Sequence, residues 1–174
     1  ASTLTVRTPD GLSSGWAGDE GADWTTIESE RIAADALRKC QEWRGKTSLE
    51  PGKYEVILQP TGGGMLMLRM MQAFDARSAE EGRSYFSKRG GGTLLGEKVF
   101  NESVTISSDP AFRNGETSPF NGAGQAVQPE VWVEKGVLKN LGYSRFWADK
   151  KGVPPKTGMS NFVMTGGSDS IEDM

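Results

Sequence analysis

The side chains whose types could carry chemistry are few. Asp109, Glu116, Glu130 and Glu134 offer carboxylates that could pair or hold a hard cation. Each stands alone among turn residues, however, and solvated surface acids are the simpler reading. Cys40 is the single thiol, and it falls on the apolar stripe of a helix without an obvious activating cation. It therefore reads as buried and inert. Lys156-Thr157-Gly158 matches one element of the penicillin-recognising serine enzymes. Those enzymes also need Ser-x-x-Lys, and no serine here has a lysine three residues on, so that assignment fails.

One absence limits the rest: the 174 residues include no histidine. Histidine is the commonest general base and zinc ligand, and the usual partner of a Ser or Cys nucleophile. A Ser-His-Asp triad, a Cys-His pair and a histidine-rich zinc site are all excluded within this chain. What remains is the run Gly62, Gly63, Gly64, which could bring backbone N–H groups to an anion at a helix N-terminus. The Lys-Ser/Thr that completes a P-loop is missing, because Met65 and Leu66 follow the glycines. A tight strand-to-helix turn is the alternative.

The elements that would position these residues can be read from periodicity. "STLTVRT" alternates Leu4 and Val6 with polar residues, as a half-buried strand does. "PDGLSSGWAGDEGAD" reads as a glycine-rich connection. A helix is expected over about 25–44, opened by a Thr25–Glu28 capping box. Its buried stripe would comprise Ile32, Ala33, Ala36, Leu37, Cys40 and Trp43. "KYEVILQ" follows the Pro51-Gly52 turn as a strand with Tyr54, Val56 and Leu58 on one face. A second helix, about 64–79, is apolar almost all round and so expected to be buried on most sides. Beyond Arg89 come short strands and turns, including a hairpin in "VWVEKGVL" and, after it, the aromatic residues Tyr143, Phe146 and Trp147, expected with Trp132 to be core. The fold class expected is α+β, a mainly antiparallel sheet with these two principal helices.

Composition sets the frame. Hydrophobic content of 36% and charged content of 25% fit a globular chain, and no apolar run reaches the roughly 18–20 residues that span a bilayer. Net charge is −3 and the cations are scattered, which argues against nucleic acid as a ligand. The single cysteine suits a reducing compartment. The sequence starts without Met and stops at "SDSIEDM", as an excised piece of a longer protein would.

Taken in order, "PDGLSSGW", "LEPGKYEVILQPTGGGMLMLRMM", "GRSYFSKRGGGTLLGEKVF", "SSDPAFRNGETSPFNGAGQAV", "VWVEKGVLKNLGYSRFWADK" and "GMSNFVMTGGSDSIEDM" resemble the TldD/PmbA family, also called modulator of DNA gyrase. The resemblance implies that 1–174 is one TldD/PmbA-like domain fragment, with a strand and helix in 1–50 and a β-rich C-terminal-domain-like part in 51–174. It also implies a cytoplasmic prokaryotic protein of peptide maturation or proteolysis. Active members are zinc metallopeptidases carrying His-Glu-x-x-x-His on a helix, the histidines holding zinc and the glutamate acting as base. Aligning "GRSYF" with the family's equivalent segment puts Met67 and Gln72 where the histidines would stand, and Leu68 where the glutamate would. "FNGAG" at 120–124 replaces an Asp-x-Glu-Gly pattern, again exchanging charge for neutrality. Like the PmbA (TldE) type, this chain is therefore expected to bind no zinc cofactor and to have no catalytic residues. Its expected partners are a TldD-type subunit, as a homo- or heterodimer, and unfolded peptide, with no nucleic acid and no membrane.

Overall fold

The structure, a computed structural model, describes residues 1–21, 23–112, 118–165 and 169–170. It divides into two compact units, one formed mainly by Ala1–Tyr54 and the other by Glu55–Ala111 and the chain from Ser118 on.

In the first unit, β1 (Ser2–Arg7) pairs antiparallel with β2 (Ser14–Asp19), and α1 (Ser29–Glu42) packs on the pair. β1 is the strand expected from alternation. β2 lies in what reads from sequence as a connection: its glycines lower strand propensity, but Gly15 is what the packing needs. A Cβ there would lie 2.1 Å from the Ala36 carbonyl oxygen and 2.4 Å from the Cys40 nitrogen, so helix backbone rests directly on strand backbone. The buried stripe of α1 is narrower than expected. Ile32, Ala36 and Cys40 are buried, at spacings of four, whereas Ala33, Leu37 and Trp43 are exposed. The capping box does not form. Asp23 accepts the Thr25 N–H at 2.9 Å and caps a 3-10 turn over Trp24–Thr26, while Glu28 pairs with Arg31 at 3.0 Å. Cys40 is buried as expected, and its carbonyl accepts the buried Ser13 hydroxyl.

The second unit holds a four-stranded antiparallel sheet in the order β5 (Val137–Leu138), β4 (Glu130–Glu134), β3 (Thr105–Ser108), β6 (Phe162–Thr165). The α+β class with antiparallel sheets is thus what the chain adopts. The β4–β5 hairpin closes through Lys135 and Gly136, both at positive φ, 47° and 77°, as a two-residue hairpin turn of the right twist requires. Beneath the sheet lies a core built on Phe74, Phe86, Ile106, Trp132 and Leu138. Phe74 packs against Phe86 at 4.7 Å and edge-on to Trp132 at 5.8 Å, and the Trp132 indole N–H donates to buried Ser108 Oγ at 2.8 Å. Trp147 is buried and Tyr143 partly so, but Phe146 is exposed.

The segment expected as one helix over 64–79 is three pieces: α2 (Pro60–Met70), a 3-10 turn over Met71–Phe74, and α3 (Ala76–Glu80). The break falls at Asp75, whose extended backbone and side chain, accepting the Ser78 N–H at 2.7 Å, restart the helix. "KYEVILQ" joins no sheet among the described residues, so it is not a strand. Its side chains are open to solvent, Val56 at 68% exposure, and so are Met65, Leu66 and Leu68 on α2. A strand needs a partner as well as a pattern. No helix among the described residues is long and apolar enough to cross a membrane.

Candidate functional site

The three positions aligned with the zinc motif diverge in the structure. Met67, 5% exposed, is seated in the main core cluster. Leu68, its neighbour on α2, is 54% exposed, and Gln72 lies one turn later on the exposed side of the 3-10 segment. Thioether, isobutyl and amide groups make no donor set for zinc, which takes thiolate, imidazole and carboxylate. No group of three or more His, Cys, Asp or Glu side chains among the described residues could hold a metal ion. The residues therefore do not fit the family's metal. Of the acids considered from sequence, Asp109 accepts the Ala111 N–H at 2.8 Å, Glu130 pairs with Lys156 at 2.9 Å and Glu134 pairs with Lys139 at 3.2 Å. Glu116 lies outside the described residues. Gly62–Gly64 form no loop before a helix. They are inside α2, where the Gly63 N–H is bonded to the Gln59 carbonyl at 3.0 Å and Pro60 removes a further donor.

Gln72 does reach a cavity, of about 410 Å³, in the second unit. Its walls come from the 3-10 turn, the 121–125 loop, the start of α4 (Arg145–Lys151) and residues 156–159. Backbone bonds hold these pieces together. Gly142 N–H donates to the Phe74 carbonyl at 2.8 Å and its carbonyl accepts from Ala76 at 2.9 Å, while Tyr143 and Lys156 exchange two bonds of 2.9 Å. The 121–125 loop is tied by Asn121, whose Oδ1 accepts the Ala123 and Gln125 N–H groups at 3.0 Å each and whose Nδ2 donates to Gln125 Oε1 at 3.0 Å. A second cavity of about 240 Å³ shares Gln125, Lys156 and Thr157 with the first and extends to Gln128 and Glu130.

Charge is compensated through most of this region. Lys156 Nζ donates to Asn140 Oδ1 at 2.6 Å and pairs with Glu130 at 2.9 Å. Asp75 caps α3. Arg145 lines the larger cavity with no ion pair among the described residues. The walls thus offer amides, the two hydroxyls of Ser144 and Thr157, the engaged charges of Asp75 and Lys156, the Arg145 guanidinium and apolar Met71, Phe74 and Met159. That set can bind and orient a polar chain, but it holds no nucleophile with a base beside it. Sequence reasoning reached Gln72 through the motif register and Asn121 through the altered "FNGAG". It set Lys156–Gly158 aside and missed Arg145, whose position depends on the Asp75–Gly142 and Tyr143–Lys156 bridges.

Tyr143 beside the cavity donates its hydroxyl to Glu80 Oε1 at 3.0 Å, and Glu80 pairs with Lys151 at 2.5 Å. Burial first, and then the Glu80 carboxylate, raise the phenol's pKa above its usual value of about 10. The neutral form is the one the fold favours. Its contribution to stability is complete below the ordinary phenol value and is lost as pH rises through the higher folded one. In an alkaline absorbance titration, Tyr143→Phe is expected to remove a fraction of tyrosinate that ionises above the usual phenol range. A variant that removes only a fraction ionising within that range would contradict this.

A family model described as "PmbA/TldA metallopeptidase C-terminal domain" matches residues 51–174. Among curated relatives, an uncharacterized protein of Methanocaldococcus jannaschii is 28% identical over 135 residues, 70% of this chain and 31% of that protein. A metalloprotease of Archaeoglobus fulgidus is 45% identical over 58 residues, 33% of this chain and 14% of that protein. The chain thus spans less than a third of either relative. Among solved structures, candidate modulators of DNA gyrase from Thermotoga maritima and Bacteroides thetaiotaomicron each give a TM-score of 0.78 over 98% of this chain, covering 40% and 39% of theirs at 23% and 21% identity. TldE from Thermococcus kodakarensis gives 0.71 over 97% of this chain and 40% of its own, at 19% identity. At these identities the structural likeness shows the fold alone. The family model, covering well over half of the sequence, shows the family: the chain belongs to the PmbA/TldD metallopeptidase family through its C-terminal domain.

Proposed function

We propose that this chain is a non-catalytic member of the family, acting in the cytoplasm as a partner or peptide-cleft subunit in peptide maturation or proteolysis. The observation that carries the reading is the fate of the motif positions. Met67 packs in the core, Leu68 cannot accept a proton, and Gln72 alone cannot hold an ion. The amide-lined cavity beside Gln72 supports a binding role that outlasts the loss of chemistry.

The test is metal content and peptidase activity of the purified chain, alone and with a partner bearing His-Glu-x-x-x-His. We expect no stoichiometric zinc and no hydrolysis from the chain alone. Zinc retained at one equivalent, or cleavage without a partner, overturns the reading. Hydrolysis that appears only in the mixture, with zinc on the partner, makes this chain one half of an active zinc metallopeptidase heterodimer. Phosphate binding at Gly62–Gly64 gains nothing from the geometry, because those glycines are helical and line neither cavity.

A further inference from the structure

Three glutamines line the two cavities, which share residues. Gln72 lines the larger, Gln125 is shared, and Gln128 lines the smaller. The Gln72 and Gln128 amides make no side-chain hydrogen bond among the described residues, and Gln125 uses only its oxygen, to accept from Asn121. A primary amide offers a donor and an acceptor together, the same pair that each peptide unit of an extended chain presents. Such a set suits the main chain of a polypeptide, whose unpaired N–H and C=O groups need partners whatever the side chains are.

The charges add a direction. Lys156 is compensated by Glu130, and both meet in the smaller cavity. Arg145 opens onto the larger cavity alone, with a planar fork of donors that fits a carboxylate. Asp75 lines the same cavity, but its Oδ1 is held at the α3 N-terminus and no ion pair joins it to Arg145.

We propose that the two cavities form one groove that takes the C-terminal end of an unfolded peptide, its main chain along Gln72, Gln125 and Gln128 and its free α-carboxylate on Arg145. This rests on the reading of the chain as a peptide-cleft subunit and adds to it the end that is recognised. The side chains of the bound peptide contribute little, so affinity follows the terminus rather than the sequence.

Two unrelated, unstructured peptides of about ten residues, each lacking Asp and Glu and labelled at the N-terminus, serve as probes in fluorescence anisotropy at fixed salt. Each is made with a free acid and with an amidated C-terminus. The whole chain should bind both free acids with similar affinity and the amides on the order of tenfold more weakly, the scale of one charge-assisted contact. Arg145→Met, a change at an exposed side chain, should weaken the acids to the level of the amides and leave the amides unchanged. Gln125→Leu should weaken acid and amide alike. Equal binding of acid and amide overturns the carboxylate assignment and leaves the peptide-cleft reading standing. No binding of any peptide overturns both.

Discussion

Trp132→Ala is expected to lower the unfolding free energy of the second unit by about 3–5 kcal/mol, the range for removing a large buried aromatic side chain. Trp132 is fully buried on β4, touches Phe74 edge-on, and lies in the same cluster as Phe86, Leu138 and Met67. Its loss leaves a cavity among rings that cannot collapse without disturbing the Phe74 turn, and that turn carries one wall of the candidate groove. Ser108 also loses its donor in a buried setting. Trp132→Phe separates these effects: most of the ring volume stays while the N–H bond goes, at about 1–3 kcal/mol. Denaturant unfolding followed by circular dichroism measures both. A midpoint for Trp132→Ala within error of the parent would show that this ring is not the centre of the core.

The second large effect is expected at Gly15. In Gly15→Ala the new methyl would meet the Ala36 oxygen and the Cys40 nitrogen, which belong to helix backbone and cannot rotate aside. α1 must move off the β1–β2 pair, exposing the buried cluster Ala17, Ile32 and Ala36, against which Val6 and Ile27 pack, and buried Cys40 with it. The cost lies at or above the upper end of the roughly 1–3 kcal/mol typical of overpacking, in a unit with little burial to offset it. Hydrogen exchange by mass spectrometry is expected to show α1, β1 and β2 losing protection while β3, β4 and β6 keep theirs. Loss of protection throughout would mean that the two units unfold together. Unchanged protection would refute the close packing itself.

Features that depend on a few neighbouring residues were legible in the sequence. β1 follows from alternation, the β4–β5 hairpin from a Glu134-Lys135-Gly136 loop between apolar runs (the structure keeps Glu134 in β4), and α1 from Ile32, Ala36 and Cys40. Features that depend on what lies opposite were not. Gly15 and Gly18 lower local strand propensity, yet β2 exists because β1 pairs with it and α1 needs the space over Gly15. The run Lys53–Gln59 has strand residues without a strand. The 64–79 helix is cut at Asp75, where a side-chain cap outweighs apolar continuity. The candidate groove divides in the same way. Gln72 was reached through the order of motifs along the chain, whereas Gln125 and Gln128 lie outside helices and strands and Arg145 opens α4, and the single bridges that bring such pieces together leave no periodic trace.

The unpaired run Lys53–Gln59, with Val56, Ile57 and Leu58 open to water, bears on how the chain behaves in concentrated solution. Its backbone can template pairing with an extended segment, and its side chains are adhesive wherever solvent penalises apolar area. The net charge of −3 opposes self-association only through a long-range repulsion that added salt screens. Excluded salts such as sulfate strengthen apolar burial and screen that repulsion at once. Sulfate is therefore expected to lower the solubility of this chain more than chloride does at the same ionic strength.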